Sequence, residues 1–244
     1  MKKFTLFELL MIIAIISILI SLLLPSLRRS RHLALQAVCM SNQSQSFRGS
    51  VSYVKNNDGK LMPVNMRLDE PYYTNKPHNN YYLRYQNGAP ASNLGVLYHE
   101  GYLSSARNFY CPGYDDSKQE VSLSSYEYYA DAFGSFPTAG DMAILPFSSS
   151  YRMRCSYYFN PEGSSSKKTK YIQYENNGIF IMDLIRKKTL SHGPLGKKWV
   201  VILADGSGRV ATSLKTYSKV MSSEVDNGWS SYHSALELLQ ETIQ

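Results

Sequence analysis

Several signatures of chemistry are missing from this chain. It has no glycine-rich phosphate loop, no Gly-x-Ser-x-Gly elbow and no His-Glu-x-x-His pair. Phosphoryl transfer, acyl transfer and zinc hydrolysis therefore have no recognisable motif to work from. Cysteine is scarce as well: three in 244 residues, with no Cys-x-x-Cys. That is too few for a disulfide scaffold and wrongly spaced for redox or zinc chemistry. Long apolar runs are absent apart from one. Acid is scarce near the start, where Glu8 faces Lys2, Lys3, Arg28, Arg29 and Arg31 and leaves +4 of the total +7 in the first 32 residues. The other 212 residues carry only +3. The basic balance is thus local, and it points to lipid headgroups beside an anchor rather than to nucleic acid.

What is present is the stretch Phe4 to Leu24, FTLFELLMIIAIISILISLLL, 21 residues with one acid, Glu8. As a helix it reaches about 30 Å, the hydrocarbon thickness of a bilayer. The run is longer than the core of a secretory signal, and no Ala-x-Ala site follows it directly. A carboxylate in such a helix costs about 2 to 3 kcal/mol on insertion scales unless it is paired. Two partners suggest themselves: Lys2 or Lys3 at the interface, and a positive group on a neighbouring copy of the helix. The positive-inside rule does not decide the orientation, because two lysines precede the run and three arginines follow it.

Lys2-Lys3-Phe4-Thr5-Leu6-Phe7-Glu8-Leu9-Leu10, the Ile-rich run and Pro25 together resemble the N-terminus of type IV pilin-like proteins. That family includes the pseudopilins of type II secretion. The resemblance implies that a prepilin peptidase cuts after Lys3 and methylates the new amine of Phe4. It also implies that Glu8 pairs with the N-terminal amine of an adjacent subunit, and that Pro25 is the family's helix-kinking proline. The implied partners are copies of the chain and other pilin-like subunits, the peptidase, an inner-membrane assembly platform and membrane lipid. The implied orientation is single-pass, N-terminus cytoplasmic and head extracytoplasmic. The chain departs from the pattern at Lys3, where the family carries Gly. An uncut anchor bearing a binding domain that does not polymerise is therefore the alternative expectation, and processing separates the two.

The expected organisation is a leader, 1–3, a transmembrane assembly helix, 4–25, its soluble continuation, 26–57, and a globular head, 58–244. Along the continuation, Leu27, Arg31, Ala34 or Leu35, Val38, Asn42, Phe47, Val51 and Val54 follow spacings of three and four and predict the inward stripe. Ser41 to Ser46 is polar on all sides, so this half needs packing against the head to persist. Asn56-Asn57-Asp58-Gly59 predicts the stop. In the head, Tyr81–Tyr85, Arg152–Phe159, Gly178–Asp183 and Trp199–Ala204 predict strands, and Leu94–Leu103 a short helix ended by Gly101. Asp205-Gly206-Ser207-Gly208 turns the last strand into Arg209–Thr212 as a hairpin. Ser230 to Gln244 predicts an amphipathic helix with Ala235, Leu236, Leu239 and Ile243 inward. The fold class is α+β: a long N-terminal helix packed on an antiparallel sheet, with a C-terminal helix.

Arg28 to Phe47, the Phe109-Tyr110-Cys111-Pro112 element and the run His192…Asp205-Gly206 resemble a pseudopilin-like group of planctomycete- and lentisphaera-type bacteria. His192 and Asp205 invite a catalytic or metal reading, but an Asp-Gly turn needs those residues for backbone reasons alone, and no second acid or His stands at ligand spacing. Glu224, Asp226 and Asn227 offer oxygens for calcium, yet their spacing fits no defined loop and reads as a polar turn before Trp229. In an exported head Cys111 can bridge to Cys39 or to Cys155; spacing leaves the choice open, with Cys39–Cys111 preferred. No cofactor and no metal are expected, and the expected role is structural rather than enzymatic.

Overall fold

The structure, a computed structural model, describes residues 5–63, 82–84, 91–112, 153–155, 157–159, 178–183, 198–213, 215–216, 238–239 and 241–242. One element dominates it: α1, Leu6–Asn56, a single helix of 51 residues. At the usual rise it is about 76 Å long. Thr5 caps its start. The Thr5 hydroxyl accepts from the Glu8 N–H at 3.2 Å, while the Glu8 carboxylate accepts from the Thr5 N–H at 2.8 Å. The helix runs through Pro25 without interruption. It ends where Asp58 and Gly59 turn left-handed, at φ 54° and 71°, and the Gly59 N–H bonds the Val54 carbonyl. That is the stop expected of Asp-Gly after the last helical turn.

The head is built on an antiparallel sheet. β3 (Tyr157–Phe159), β4 (Ile179–Asp183), β5 (Lys198–Leu203) and β6 (Gly208–Thr212) lie side by side in chain order as a four-stranded meander. β1 (Tyr82–Arg84) and β2 (Met153–Arg154) form a separate antiparallel pair. The expected strand Arg152–Phe159 is therefore two strands in two sheets, broken where the Cys155 thiol bonds the Tyr157 carbonyl at 3.0 Å. The short helix α2 (Gly95–His99) and a 3-10 turn at Ala106–Phe109 also pack on α1's second half, ahead of Cys111.

The core lies between α1 and this sheet. Val200 and Ile202 of β5 face it, with Phe180, Leu97, Phe109 and Tyr157 fully buried around them. Phe47 of α1 meets Phe180 edge to face, ring centres 5.2 Å apart. Because side chains alternate across a strand, Trp199, Val201 and Leu203 point to the opposite face of β5, and they too are fully buried. This architecture is the α+β arrangement expected. Of the expected C-terminal helix, only Leu238, Leu239, Glu241 and Thr242 are described; Leu239 is buried.

One expectation holds only at its end, where Val54 is buried and Phe47 packs on the core. The inward stripe of α1's second half is not Leu27, Arg31 and Val38, which are exposed; Leu27 is 66% and Val38 46% accessible. The buried positions are Gln36, Cys39, Gln43, Ser46, Gly49, Ser50, Tyr53 and Val54. Their spacing of three and four is as regular as the expected stripe, but rotated around the helix and made largely of small and polar residues. The reason is proximity: small residues let the helix lie close to its neighbours, Gly49 against Leu103 and Tyr102, while Gln43 finds bonding partners on the sheet.

Candidate functional site

Among the described residues two places carry unusual chemistry, and both involve α1. The first is its apolar half. From Leu6 to Leu24 no side chain is covered by the head, and of the large exposed apolar residues described, every one but Val210 lies on this helix. Such a surface is far beyond the patch a monomer normally leaves in water. The window is long and apolar enough to cross a membrane. Its few hydroxyls are arranged accordingly: Ser17, Ser21 and Ser26 donate back to the carbonyls of Ile13, Ile18 and Leu23 at 2.7, 2.7 and 2.8 Å. Each hydroxyl is thereby satisfied within the helix, as hydrocarbon surroundings require. Glu8, expected to pair with Lys2, Lys3 or a neighbouring subunit, is engaged by Thr5, whose hydroxyl also donates to it at 2.9 Å. The Thr-x-x-Glu spacing was in the sequence as a capping box and signals this use of the acid. Lys2, Lys3 and Phe4 lie outside the described residues.

The second is the clamp that holds α1's other half to the head. Cys39 is bridged to Cys111, Cα atoms 5.2 Å apart, across 72 residues of chain. One turn along, the Gln43 amide donates to the Asp183 carboxylate at 2.9 Å and to the Val200 carbonyl at 3.3 Å. The other oxygen of Asp183 accepts from the Val200 N–H at 2.6 Å. Asp183 and Gln43 are fully buried. Flanking amides extend the seam: Asn42 to the Tyr110 carbonyl at 3.1 Å, Asn108 to Gln45 at 3.2 Å and Asn56 to the Tyr102 hydroxyl at 3.2 Å. Buried polar groups are tolerated only when bonded, and these make the bonds across the interface rather than within one element. The polar run Ser41 to Ser46, which looks featureless as sequence, is the centre of this seam.

The cysteines are divided by environment. Cys155 lies outside the bridge; burial pushes its thiol up to about 12. A thiol so shielded is a poor nucleophile and a poor metal ligand. Ligand atoms of Cys39, Cys111 and Asp183 lie within 4.8 Å of one another. With both sulfurs spent in the bridge, no thiolate remains there to bind an ion.

Asp205 and Gly206 are a turn. The Ser207 N–H donates to the Asp205 carboxylate at 2.8 Å, and the Gly206 N–H to the Leu203 carbonyl at 2.9 Å. Gly206 has φ 85°, and a Cβ there would stand 2.8 Å from the Phe47 ring. Glycine is thus required twice, by conformation and by the aromatic ring of α1 lying over the turn. The exposed Asp205 carboxyl is held below the usual carboxylate range, chiefly by the Ser207 N–H. His192, the Glu224, Asp226 and Asn227 group, and Trp229 lie outside the described residues. No family model, curated protein or solved structure matches the chain.

Proposed function

We propose that the chain is a pilin-like structural subunit, anchored in the inner membrane by the first half of α1 and able to assemble through it into a type II secretion pseudopilus or a type IV pilus-like fibre. The observation that carries this reading is the division of one unbroken helix. Its first half is bare and apolar, and its second half is clamped to an antiparallel sheet. A helix that served only the head would have no use for about 30 Å of exposed hydrocarbon. The resemblance of residues 2 to 25 to the prepilin N-terminus supplies the family. The bridge between Cys39 and Cys111 supports an extracytoplasmic head, since disulfides persist in oxidising compartments. With the head outside, the N-terminus is cytoplasmic. The role is structural rather than catalytic, and the Asp205 carboxylate is occupied in a turn.

Assembly would use Glu8 against the amine of a neighbour's Phe4, and the apolar side chains from Leu9 to Leu24 for contact. The capping box gives a way to test that charge. Glu8→Gln retains a side chain that can cap Thr5 but removes the charge, whereas Glu8→Ala removes both. Loss of fibre incorporation in both variants, with the head still folded and bridged, is expected. Normal incorporation of Glu8→Gln would show that only the cap matters and overturn the charge-pairing role.

A second reading, a permanently anchored extracytoplasmic binding domain, is favoured by Lys3 in the position that the pilin-like family fills with Gly. The intact mass and N-terminal sequence of protein taken from its native membrane decide between them. N-methylated Phe4 at the start is the expected result for a subunit; Met1 at the start would make the anchored domain the account.

A further inference from the structure

We infer that Arg28, Arg29 and Arg31 form a collar that binds the phosphates of anionic lipid headgroups in the leaflet beneath the head; this rests on the reading of residues 4–25 as a membrane span. The three arginines are exposed, and none has a hydrogen-bond or ion-pair partner among the described residues. Nor can one come from the same helix. Between Glu8 and Asp58 the chain has no Asp or Glu at all. Arg28 and Arg31 stand three residues apart, where like charges face each other and destabilise a helix. The charge is therefore uncompensated within the described part of the chain, and an anion from outside would relieve it.

Position says which anion. Arg28 to Arg31 lie four to seven residues beyond Leu24, about 6 to 10 Å along the axis. That is the depth of the headgroup layer outside a span ending at Leu24. Guanidinium is suited to phosphate because its planar donors grip two oxygens at once. Direction adds a further constraint. At 100° per residue the three arginines and His32 cover an arc of about 160°. Its centre falls on the same side of α1 as Gln36, Cys39, Gln43, Ser46 and Ser50, the residues buried against the head. Helix residues 25–34 are all exposed and make a bare neck below the head. The basic arc thus continues the docking seam towards the membrane, so that bound lipid phosphates lie under the head and fix which way it leans. A uniform ring of charge would have no such preference.

The test uses the full chain in vesicles of phosphatidylcholine mixed with phosphatidylglycerol, compared with Arg28→Gln/Arg29→Gln/Arg31→Gln. These side chains are exposed and bond nothing in the described part of the head, so its fold and bridge serve as controls. Insertion is read by resistance to alkaline carbonate, and lipid selectivity by native mass spectrometry of the released protein. Wild type is expected to retain phosphatidylglycerol over phosphatidylcholine, and the triple variant to remain inserted but lose that preference. At about fivefold per arginine near an anionic surface, the total loss is on the order of 100-fold. Equal retention by the two proteins would overturn the proposal. Displacement of the lipid by millimolar inorganic phosphate would overturn it in favour of a soluble-anion site, and displacement by duplex DNA in favour of a nucleic-acid surface. Extraction of wild type by carbonate would instead remove the membrane reading on which the collar depends.

Discussion

Residues 6–34 and 35–56 belong to one helix, yet they keep opposite company. The first part is apolar on every side from Leu6 to Leu24, and all of it is exposed, clear of the described part of the head. The second buries Gln36, Gln43, Ser46 and Ser50, polar residues that in isolation would be placed in water. Composition alone would assign the two parts the wrong way round: greasy inside, polar outside. The difference is in what lies opposite. A bilayer or a like helix demands apolar surface with its hydroxyls bonded internally, and Ser17, Ser21 and Ser26 comply. A sheet with a buried aspartate at the end of an interior strand demands a donor, and Gln43 supplies it.

If the halves are independent in this way, damage to one should leave the other intact. The largest expected effect comes from Cys111→Ser. Opening a closure of 72 residues costs the head about 4 kcal/mol on the chain-entropy account. Thermal unfolding in detergent should show a lowered head transition, while membrane insertion is unchanged. Asp183→Ala comes next. It strips the Gln43 amide and the Val200 N–H of a buried acceptor, and orphaned donors of this kind together cost about 3 kcal/mol. The same two measurements apply, and a parallel loss of insertion in either variant would break the comparison. Ile16→Lys reverses the test. A lysine near the middle of the span opposes insertion by about 3 kcal/mol, so carbonate extraction should rise with the head transition unmoved.

How far the sequence already disclosed this depends on which forces were at work. The long apolar helix, the stop at Asp58-Gly59, the strands about Ile181 and Ile202 and the Asp205-Gly206 hairpin were all legible, because each follows from local chemistry: apolar length, left-handed glycine, alternating apolar residues, an Asx turn. The docking face was not. Apolar residues at spacing three and four pick out Leu27, Val38 and Val51 and pass over Cys39, whose partner Cys111 is 72 residues away, and Gln43, whose partners Asp183 and Val200 are 140 and 157 residues away. The pairing of Cys111 was open for the same reason, since spacing says nothing of which cysteine the fold brings near. Glu8 illustrates a milder failure. Attention to the cost of a charge in lipid hid the ordinary capping box that Thr5 makes with it.

The smallest effect sharpens the comparison where the Asp205-Gly206 turn of the sheet meets α1. Asp205 has its carboxyl held low by the Ser207 N–H, so it contributes to hairpin stability above the ordinary carboxylate pKa. As pH falls below about 4 that contribution begins to fade, and it is gone once the folded-state value is passed. Exposure keeps it slight. Asp205→Asn preserves an acceptor for the Ser207 N–H but cannot titrate, so its acid-unfolding curve should lack this small component while its stability at neutral pH stays close to wild type. Amide exchange at Ser207, followed from neutral to acid pH in both proteins, measures it directly. Because Phe47 lies over Gly206, a loosened turn should also be felt at the docked half of α1. The bare half, which stands clear of the described part of the head, should not respond; a pH-dependent change there would mean that the two halves are coupled after all.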